Sequence, residues 1–233
     1  MPTGNMEIIP GIHRVDGVNG NCYILVRDGL TVIDTGLPGS GKKIISYIRD
    51  TLHREPSGIK TVIITHFHID HIGGLEALRG AAPGLKVAIG EADAGYVDGS
   101  LPLPVYPGFH GFLIRVAGIV MKAPHFRPDI LLRDGDRIHG LRCIHVPGHT
   151  PGSIGLLDEP SLSFFGGDIL RYDGTTLAEG PAYATMDTAA ASRSIRKIAS
   201  LDFDLLLPGH GIPLRPGAAA RVREFVAITG SNA

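Results

Sequence analysis

Residues 61–71 restrict what this chain can fold into more than any other stretch of its sequence. The run from Thr61 to Thr65 consists entirely of β-branched residues, which is typical of a strand that is buried on both faces. It leads without a break into His66-Phe-His-Ile-Asp-His71, so that four polar side chains follow the strand at once. Imidazole and carboxylate groups are common metal ligands, and the sequence therefore predicts a metal-binding loop at the end of a buried strand.

The spacing within this loop predicts two ions rather than one. His66 and His68 are two residues apart on an extended segment, so their rings project to the same side and can converge on one ion. Asp70 and His71 follow at the start of an expected helix and can turn toward a second ion. Imidazole and carboxylate suit zinc, iron and other borderline metals, and no cysteine lies near enough in sequence to add a thiolate.

Four ligands are too few for two complete metal shells, and three further polar residues follow apolar strands. These are His149 in a Pro-Gly-His-Thr-Pro-Gly turn, Asp168 after Phe-Phe-Gly-Gly, and His210 after Leu-Leu-Leu-Pro-Gly. Strand ends are rigid, so ligands placed there keep their geometry well. We therefore expect these three residues to complete the metal site.

The order of these residues resembles the metallo-β-lactamase superfamily, in which an early Asp precedes HxHxDH, a His, an Asp and a final His. Asp34 matches the early Asp, and the similarity spans about residues 11 to 211. The resemblance implies three roles for the ligands. It places His66, His68 and His149 on one metal, Asp70, His71 and His210 on the other, and Asp168 between them. Asp34 would steady the ligand loop by hydrogen bonds.

The fold that the pattern and this resemblance imply is α+β. It is an αββα sandwich of two mixed sheets, with helices on the outer faces, in a single domain over residues 1–233. Strands are predicted over residues 11–16, 22–27, 30–34, 61–65, 87–89, 130–132, 142–146, 154–157, 162–165 and 205–207. Helices are predicted from about residue 40, near residue 70, and over about 188–201 and 218–229.

Residues 94–129 form the one long segment with weak patterning, and they are rich in proline, glycine and aromatic residues. Long segments of this kind usually are functional or carry short structure of their own. An inserted helical hairpin, a lid over the substrate, and a dimer or membrane-surface contact all fit. Residues 111–121 could form one apolar helix within this insertion.

The resemblance implies a hydrolase with two divalent ions, zinc first, with iron or manganese as alternatives. A water between the ions would attack a carbonyl, Asp70 would accept its proton, and Tyr172 could donate a hydrogen bond to the substrate. Asp168 follows two glycines, as in glyoxalase II-like and lactonase-like members, so we expect a small ester, thioester or lactone. Two alternatives stay open: a mononuclear iron oxygenase similar to persulfide dioxygenases, and a phosphodiesterase or nuclease.

Charge and composition restrict the partners. A formal net charge of −1 argues against a surface for nucleic acid or anionic lipid, which leaves a small-molecule substrate and, as an option, a homodimer. Residues 1–10 lack the pattern of a signal peptide, and no uncharged apolar stretch is long enough to cross a bilayer. Cys22 and Cys143 lie in apolar, strand-like segments and are expected to be reduced core thiols. Together these features favour a cytoplasmic protein.

Overall fold

A computed structural model describes residues 6–104 and 124–230 of the chain. These residues form two compact units. The first contains residues 6–89, 94–102 and 124–131, and the second contains residues 90–93, 103–104 and 132–230. Each unit has its own mixed β-sheet and its own helices.

The sheet of the first unit has seven strands in chain order. They are β1 (Met6–Ile9), β2 (Ile12–Val15), β3 (Cys22–Arg27), β4 (Gly29–Ile33), β5 (Ile59–Ile64), β6 (Lys86–Gly90) and β7 (Ile130–Leu132). The first four strands are antiparallel neighbours, whereas β4, β5 and β6 run parallel. Residues Val62, Ile63 and Ile64 of β5 are fully buried, as the β-branched run predicts.

The helices of the first unit are short. They are α1 (Ser40–Ser46), which continues as a π-helical turn (Tyr47–Thr51), α2 (Ile69–Ile72), α3 (Leu75–Ala81) and α4 (Ala94–Asp98), with a 3-10 turn at Pro56–Gly58. The sequence predicts one helix from about Asp70 through Leu78, but the structure divides it at Gly73 and Gly74. A β-carbon on Gly74 would lie 2.3 Å from the carbonyl oxygen of Thr35, so this close approach requires glycine.

The sheet of the second unit has five strands in the order β14-β11-β10-β9-β8. In chain order the strands of this unit are β8 (Arg137–Ile138), β9 (Leu141–His145), β10 (Ile154–Asp158), β11 (Ser163–Gly167), β12 (Leu170–Tyr172), β13 (Leu177–Glu179) and β14 (Leu205–Pro208). β14 runs parallel to β11, and the other pairs are antiparallel. β12 and β13 form a separate hairpin.

Two longer helices, α5 (Thr188–Ala199) and α6 (Ala218–Gly230), complete the second unit, with 3-10 turns at Glu91–Asp93 and Ala182–Ala184. Its core contains Phe164 of β11, Ile195 and Ile198 of α5, and Val222 of α6. Asp187 caps α5, since its carboxylate accepts a hydrogen bond of 2.8 Å from the amide of Ala190. The predicted strands and the last two helices therefore agree with the structure.

Most of the predicted insertion at residues 94–129 lies outside the described residues. Residues 94–98 form α4, whereas residues 105–123, including the expected helix at 111–121, are not among those that the structure describes. None of the helices in residues 6–104 and 124–230 has both the length and the apolar character that a membrane span needs.

Candidate metal centre

The carboxyl ends of β4 and β5 carry the polar residues of the first unit. The two strands are parallel neighbours, with Ile33 paired with Ile63. Asp34 follows β4, and its amide donates a hydrogen bond of 3.0 Å to the carbonyl of Ile63. Asp34 has a φ of 58°, which is uncommon for a residue with a side chain. This backbone conformation keeps the carboxylate of Asp34 beside the residues that follow β5.

The carboxylate of Asp34 is almost fully buried and accepts three hydrogen bonds. Oδ1 accepts from the amide of Thr65 at 2.8 Å, and Oδ2 accepts from the hydroxyl of Thr65 at 2.7 Å. Oδ2 also accepts from Nδ1 of His71 at 2.9 Å. Asp34 therefore holds the start of the loop at residues 65–71 and orients one of its imidazoles, and the supporting role that the sequence predicts for it at a metal site stays a prediction.

Four of the predicted ligands lie together in the first unit. Nε2 of His66 is 3.1 Å from Nδ1 of His68, and the ring centroids of His66 and His71 are 4.0 Å apart. Oδ1 of Asp70 lies 4.0 Å from Nε2 of His71. His66 and His71 are buried, whereas His68 and Asp70 are partly exposed. The loop thus presents two buried and two more accessible donors at one edge of the sheet.

The other three predicted ligands lie in the second unit. Asp168 follows β11 and His210 follows β14, and these strands are parallel neighbours in which Gly167 pairs with Pro208. Oδ2 of Asp168 is 3.4 Å from Nε2 of His210 and 3.6 Å from Nε2 of His149. His149 sits in the turn between β9 and β10 and is 1% exposed. Asp168 is therefore close to both imidazoles through one oxygen.

The hydrogen-bond network assigns the protons of three imidazoles. The hydroxyl proton of Thr65 is committed to Asp34, so the Thr65 oxygen accepts from Nδ1 of His66 at 3.0 Å. Nδ1 of His71 donates to Asp34. The hydroxyl of Thr185 donates to the carbonyl of Pro181 and accepts from Nδ1 of His149 at 3.2 Å. In all three rings Nε2 then carries the lone pair that a metal needs.

These donors fit a divalent transition metal on two counts. Two nitrogens that bind one tetrahedral zinc at 2.0–2.1 Å lie roughly 3.3 Å apart, which is close to the separation of His66 Nε2 and His68 Nδ1. Ligand atoms of His66 and His71, and of Asp70 and His71, also lie within 4.8 Å of each other. The donors are imidazoles and carboxylates, which suit zinc, iron and manganese.

Among the described residues, no group of side chains that could hold a metal ion includes Cys22 or Cys143. Burial raises the pKa of the Cys22 thiol well above its usual range and that of Cys143 to about 12. Both cysteines are buried and reduced, as predicted.

Tyr172 lies in β12, four residues after Asp168, and is partly exposed. Its hydroxyl donates a hydrogen bond of 2.7 Å to the carbonyl of Gly174, and the guanidinium of Arg221 lies 6.0 Å from the centre of its ring. In the described conformation the hydroxyl proton of Tyr172 is thus bound within its own hairpin. The role that the sequence predicts for Tyr172 stays a prediction.

Two hydrogen-bond partners of the imidazoles were not found by sequence reasoning. Thr65 directly precedes His66 and could have been suspected from its place at the end of β5. Thr185 lies 36 residues after His149, with no motif around it that marks it as a partner. Each supplies a hydroxyl to Nδ1 of a histidine, so both belong to the supporting structure of the site.

The chain matches the family model of the metallo-β-lactamase superfamily over residues 15–210. It is 30% identical to a probable metallo-hydrolase, YflN, of Bacillus subtilis, with 89% of this chain and 86% of that protein covered. It is 25% identical to the hydroxyacylglutathione hydrolase GloC of Haemophilus influenzae, with coverage of 95% and 98%. It is 28% identical to the acyl-coenzyme A thioesterase MBLAC2 of Bos taurus, with coverage of 77% and 68%.

Among solved structures, a metallo-β-lactamase from Cronobacter sakazakii superposes with a TM-score of 0.73 at 20% identity. The superposition covers 99% of this chain and 94% of that one. At this identity the likeness shows the fold, and it confirms the predicted fold class of mixed sheets with helices.

Proposed function

We propose that this chain, which belongs to the metallo-β-lactamase superfamily, is a dinuclear metal-dependent hydrolase of a small ester, thioester or lactone. One observation carries this proposal: the seven predicted ligands lie in two sets, four in the first unit and three in the second, and hydrogen bonds at Nδ1 orient three of their five imidazoles. Burying ionisable groups is costly unless they are paired or bind a metal, and the fixed Nδ1 protons leave Nε2 of these rings as the nitrogen that can bind a metal.

In this proposal the seven ligands hold two metal ions. His66, His68 and His149 would hold one ion, Asp70, His71 and His210 would hold the other, and Asp168 would be shared by both. The ions are zinc in the first instance, with iron or manganese as alternatives. Asp34 and the hydroxyls of Thr65 and Thr185 keep three of the rings in the tautomer that binds through Nε2.

When bound, the ions would supply Lewis acidity, which brings the pKa of a water toward neutrality and polarises a substrate carbonyl. The chain would contribute the rest. Asp70, whose side chain is 27% exposed, accepts the proton of the attacking water at a carboxylate oxygen. Asp70 and His210, at 38%, are far more exposed than His71 and His149. Within the first unit, a substrate would therefore reach Asp70 more readily than the buried His71.

Tyr172 is the proposed hydrogen-bond donor to the substrate. Its hydroxyl already has an acceptor in the carbonyl of Gly174, so this role requires the substrate to replace that acceptor. A loss of affinity for substrate without a loss of metal, on Tyr172→Phe, would support the role.

The proposed substrate class draws on two relatives that are named for hydrolysis of acyl compounds, a hydroxyacylglutathione hydrolase and an acyl-coenzyme A thioesterase. Thioesters are therefore the first substrates to test, with small esters and lactones beside them. The formal net charge of −1 does not favour a nucleic-acid substrate.

Metal analysis paired with a substrate panel tests the proposal. Protein purified without added metal should contain two equivalents of zinc, iron or manganese and should hydrolyse at least one thioester, ester or lactone. One equivalent of iron, with oxygen uptake in the presence of a glutathione persulfide, would replace the proposal with an oxygenase. Turnover of phosphodiesters alone would replace it with a phosphodiesterase.

Two alanine variants test the ligand assignment. His68→Ala and Asp168→Ala should reduce kcat by at least about 10³-fold and lower the metal content, because each removes a direct ligand. His53→Asn is the matched control, since His53 is exposed and asparagine tolerates its positive φ. Unchanged turnover in either alanine variant, with the far-UV spectrum of the wild type, would contradict the assignment.

A further inference from the structure

A second buried carboxylate, Asp93, has no part in the ligand set described above. It lies in the 3-10 turn Glu91–Asp93, within the second unit, and its exposure is 0%. We propose that Asp93 is a positioning residue for His149, acting through the turn that follows this histidine. This inference rests on the proposed metal centre.

The contacts of Asp93 converge on the residues just after His149. Oδ2 of Asp93 accepts from the hydroxyl of Thr150 at 2.7 Å, and Oδ1 accepts from the amide of Gly152 at 2.6 Å. The oxygen of Ser153 accepts from the amide of Thr150 at 2.9 Å and lies 2.8 Å from the Thr150 hydroxyl. The turn is thus tied to one carboxylate by both a side chain and a backbone group.

The turn after His149 also packs tightly against Asp93. A β-carbon on Gly152 would lie 2.3 Å from the amide nitrogen of Asp93, so the turn approaches Asp93 as closely as glycine allows. On the other side, the carbonyl of His149 accepts from the amide of Met186 at 3.2 Å. The backbone is therefore held at the carbonyl of His149 by Met186 and, three residues later, at the amide of Gly152 by Asp93.

Asp34 in the first unit is arranged in the same way. Its carboxylate accepts from a backbone amide and from the hydroxyl of a threonine adjacent to a histidine, which is Thr65 beside His66. Asp93 accepts from a backbone amide and from the hydroxyl of Thr150, beside His149. Burying a carboxylate costs free energy unless hydrogen bonds compensate for the lost water. In both places the compensating hydrogen bonds come from the backbone and the threonine next to a histidine, and they therefore also hold that histidine in position.

The test compares zinc affinity with stability in purified, full-length variants. Asp93→Ala should raise the zinc dissociation constant, measured by competition with a chromophoric chelator, by about 10- to 100-fold, because supporting residues of metal ligands have effects of this size. Thr150→Val should act in the same direction, and Thr150→Ser should restore affinity to near that of the wild type. Thermal unfolding of the metal-free proteins reports the accompanying loss of stability.

Asp158→Ala is the matched control. Asp158 is also a fully buried carboxylate of the second unit and accepts from the hydroxyl of Ser161, but it stands at the opposite end of β10 from the His149 turn. It should lower the unfolding temperature without changing the zinc dissociation constant. Wild-type zinc affinity in Asp93→Ala, or equal losses in Asp93→Ala and Asp158→Ala, would overturn the inference.

The same experiment separates this inference from the proposed function. A wild-type protein that binds zinc but hydrolyses nothing in the panel would reject the hydrolase, while the effect of Asp93→Ala on zinc affinity would still support the positioning role. If the wild type is a hydrolase and Asp93→Ala binds zinc with unchanged affinity, the proposed function stands and the positioning role of Asp93 is rejected. A wild-type protein that binds no metal would overturn both.

Discussion

A single hydroxyl decides which nitrogen of His149 carries a proton. Thr185 donates to the carbonyl of Pro181, so its oxygen is left to accept from Nδ1 of the imidazole. Nε2, which lies 3.6 Å from Asp168, is then the unprotonated nitrogen. Without that hydroxyl the proton of the neutral ring can sit on either nitrogen. In the part of the population that carries it on Nε2, this atom has no lone pair for a metal.

Replacing Thr185 by valine should therefore weaken metal binding with little loss of fold. We expect the zinc dissociation constant to rise about 10-fold or more, because valine keeps the shape of threonine but removes the acceptor for Nδ1, together with the hydrogen bond to the carbonyl of Pro181. Competition with a chelator measures the constant. Thr185→Ser should recover most of the affinity, and a valine variant that binds zinc as tightly as the wild type would contradict the assigned tautomer.

The candidate ligands could be predicted from the sequence because they are polar residues in loops that follow apolar strands. His66, Asp168 and His210 all follow runs whose burial is evident from composition alone. Their partners could not be predicted in this way. Thr185 and Asp93 reach the His149 turn only through the path of the folded chain, at separations of 36 and 57 residues. Common residue types at such separations carry no local signal.

At the scale of elements, the predicted helix near residue 70 is divided at a point where its backbone lies close to α1. Gly74 separates α2 from α3, and its carbonyl oxygen would lie 2.3 Å from a β-carbon on Gly41 of α1. The hydrophobic periodicity of Leu75 and Leu78 correctly predicts α3 but says nothing about this approach of two backbones. A pattern of apolar residues reports which face is buried, and not how near the neighbouring helix comes.

Two glycines of these helices are expected to respond in opposite ways to alanine, because only Gly41 is part of this contact. Gly41→Ala should lower the free energy of unfolding by about 1–3 kcal/mol, because its methyl group has no space against α3. Gly80→Ala should raise it by about 0.5–1 kcal/mol, since Gly80 lies exposed in α3 and its β-carbon would meet nothing within 4 Å. Urea unfolding, with unchanged dependence on denaturant, measures both. A stabilising Gly41→Ala would show that α1 and α3 are not packed this closely.

At the scale of the whole molecule, each unit contains one cysteine within its own sheet. Cys22 lies in β3 of the first unit and Cys143 in β9 of the second, and both have an exposure of 0%. Burial, followed by nearby carboxylates, raises the pKa of both thiols. In the folded protein both should resist a thiol reagent at pH 8, and the labelling of each residue during unfolding reports the opening of its own unit.

The raised thiol pKa values also predict how stability depends on pH. A thiol in the unfolded chain ionises near pH 8.5, whereas Cys143 in the fold keeps its proton until about pH 12. Its contribution is complete below pH 8.5 and is lost as the pH rises, because only the unfolded chain then releases a proton. Between pH 8.5 and 9.5 we expect the free energy of unfolding to fall by about 1 kcal/mol for each thiol. Urea unfolding of reduced protein at the two pH values tests this. The double variant Cys22→Ala, Cys143→Ala should be less stable at both values but should lose much less between them, and an equal fall in that variant would assign the pH dependence to other groups.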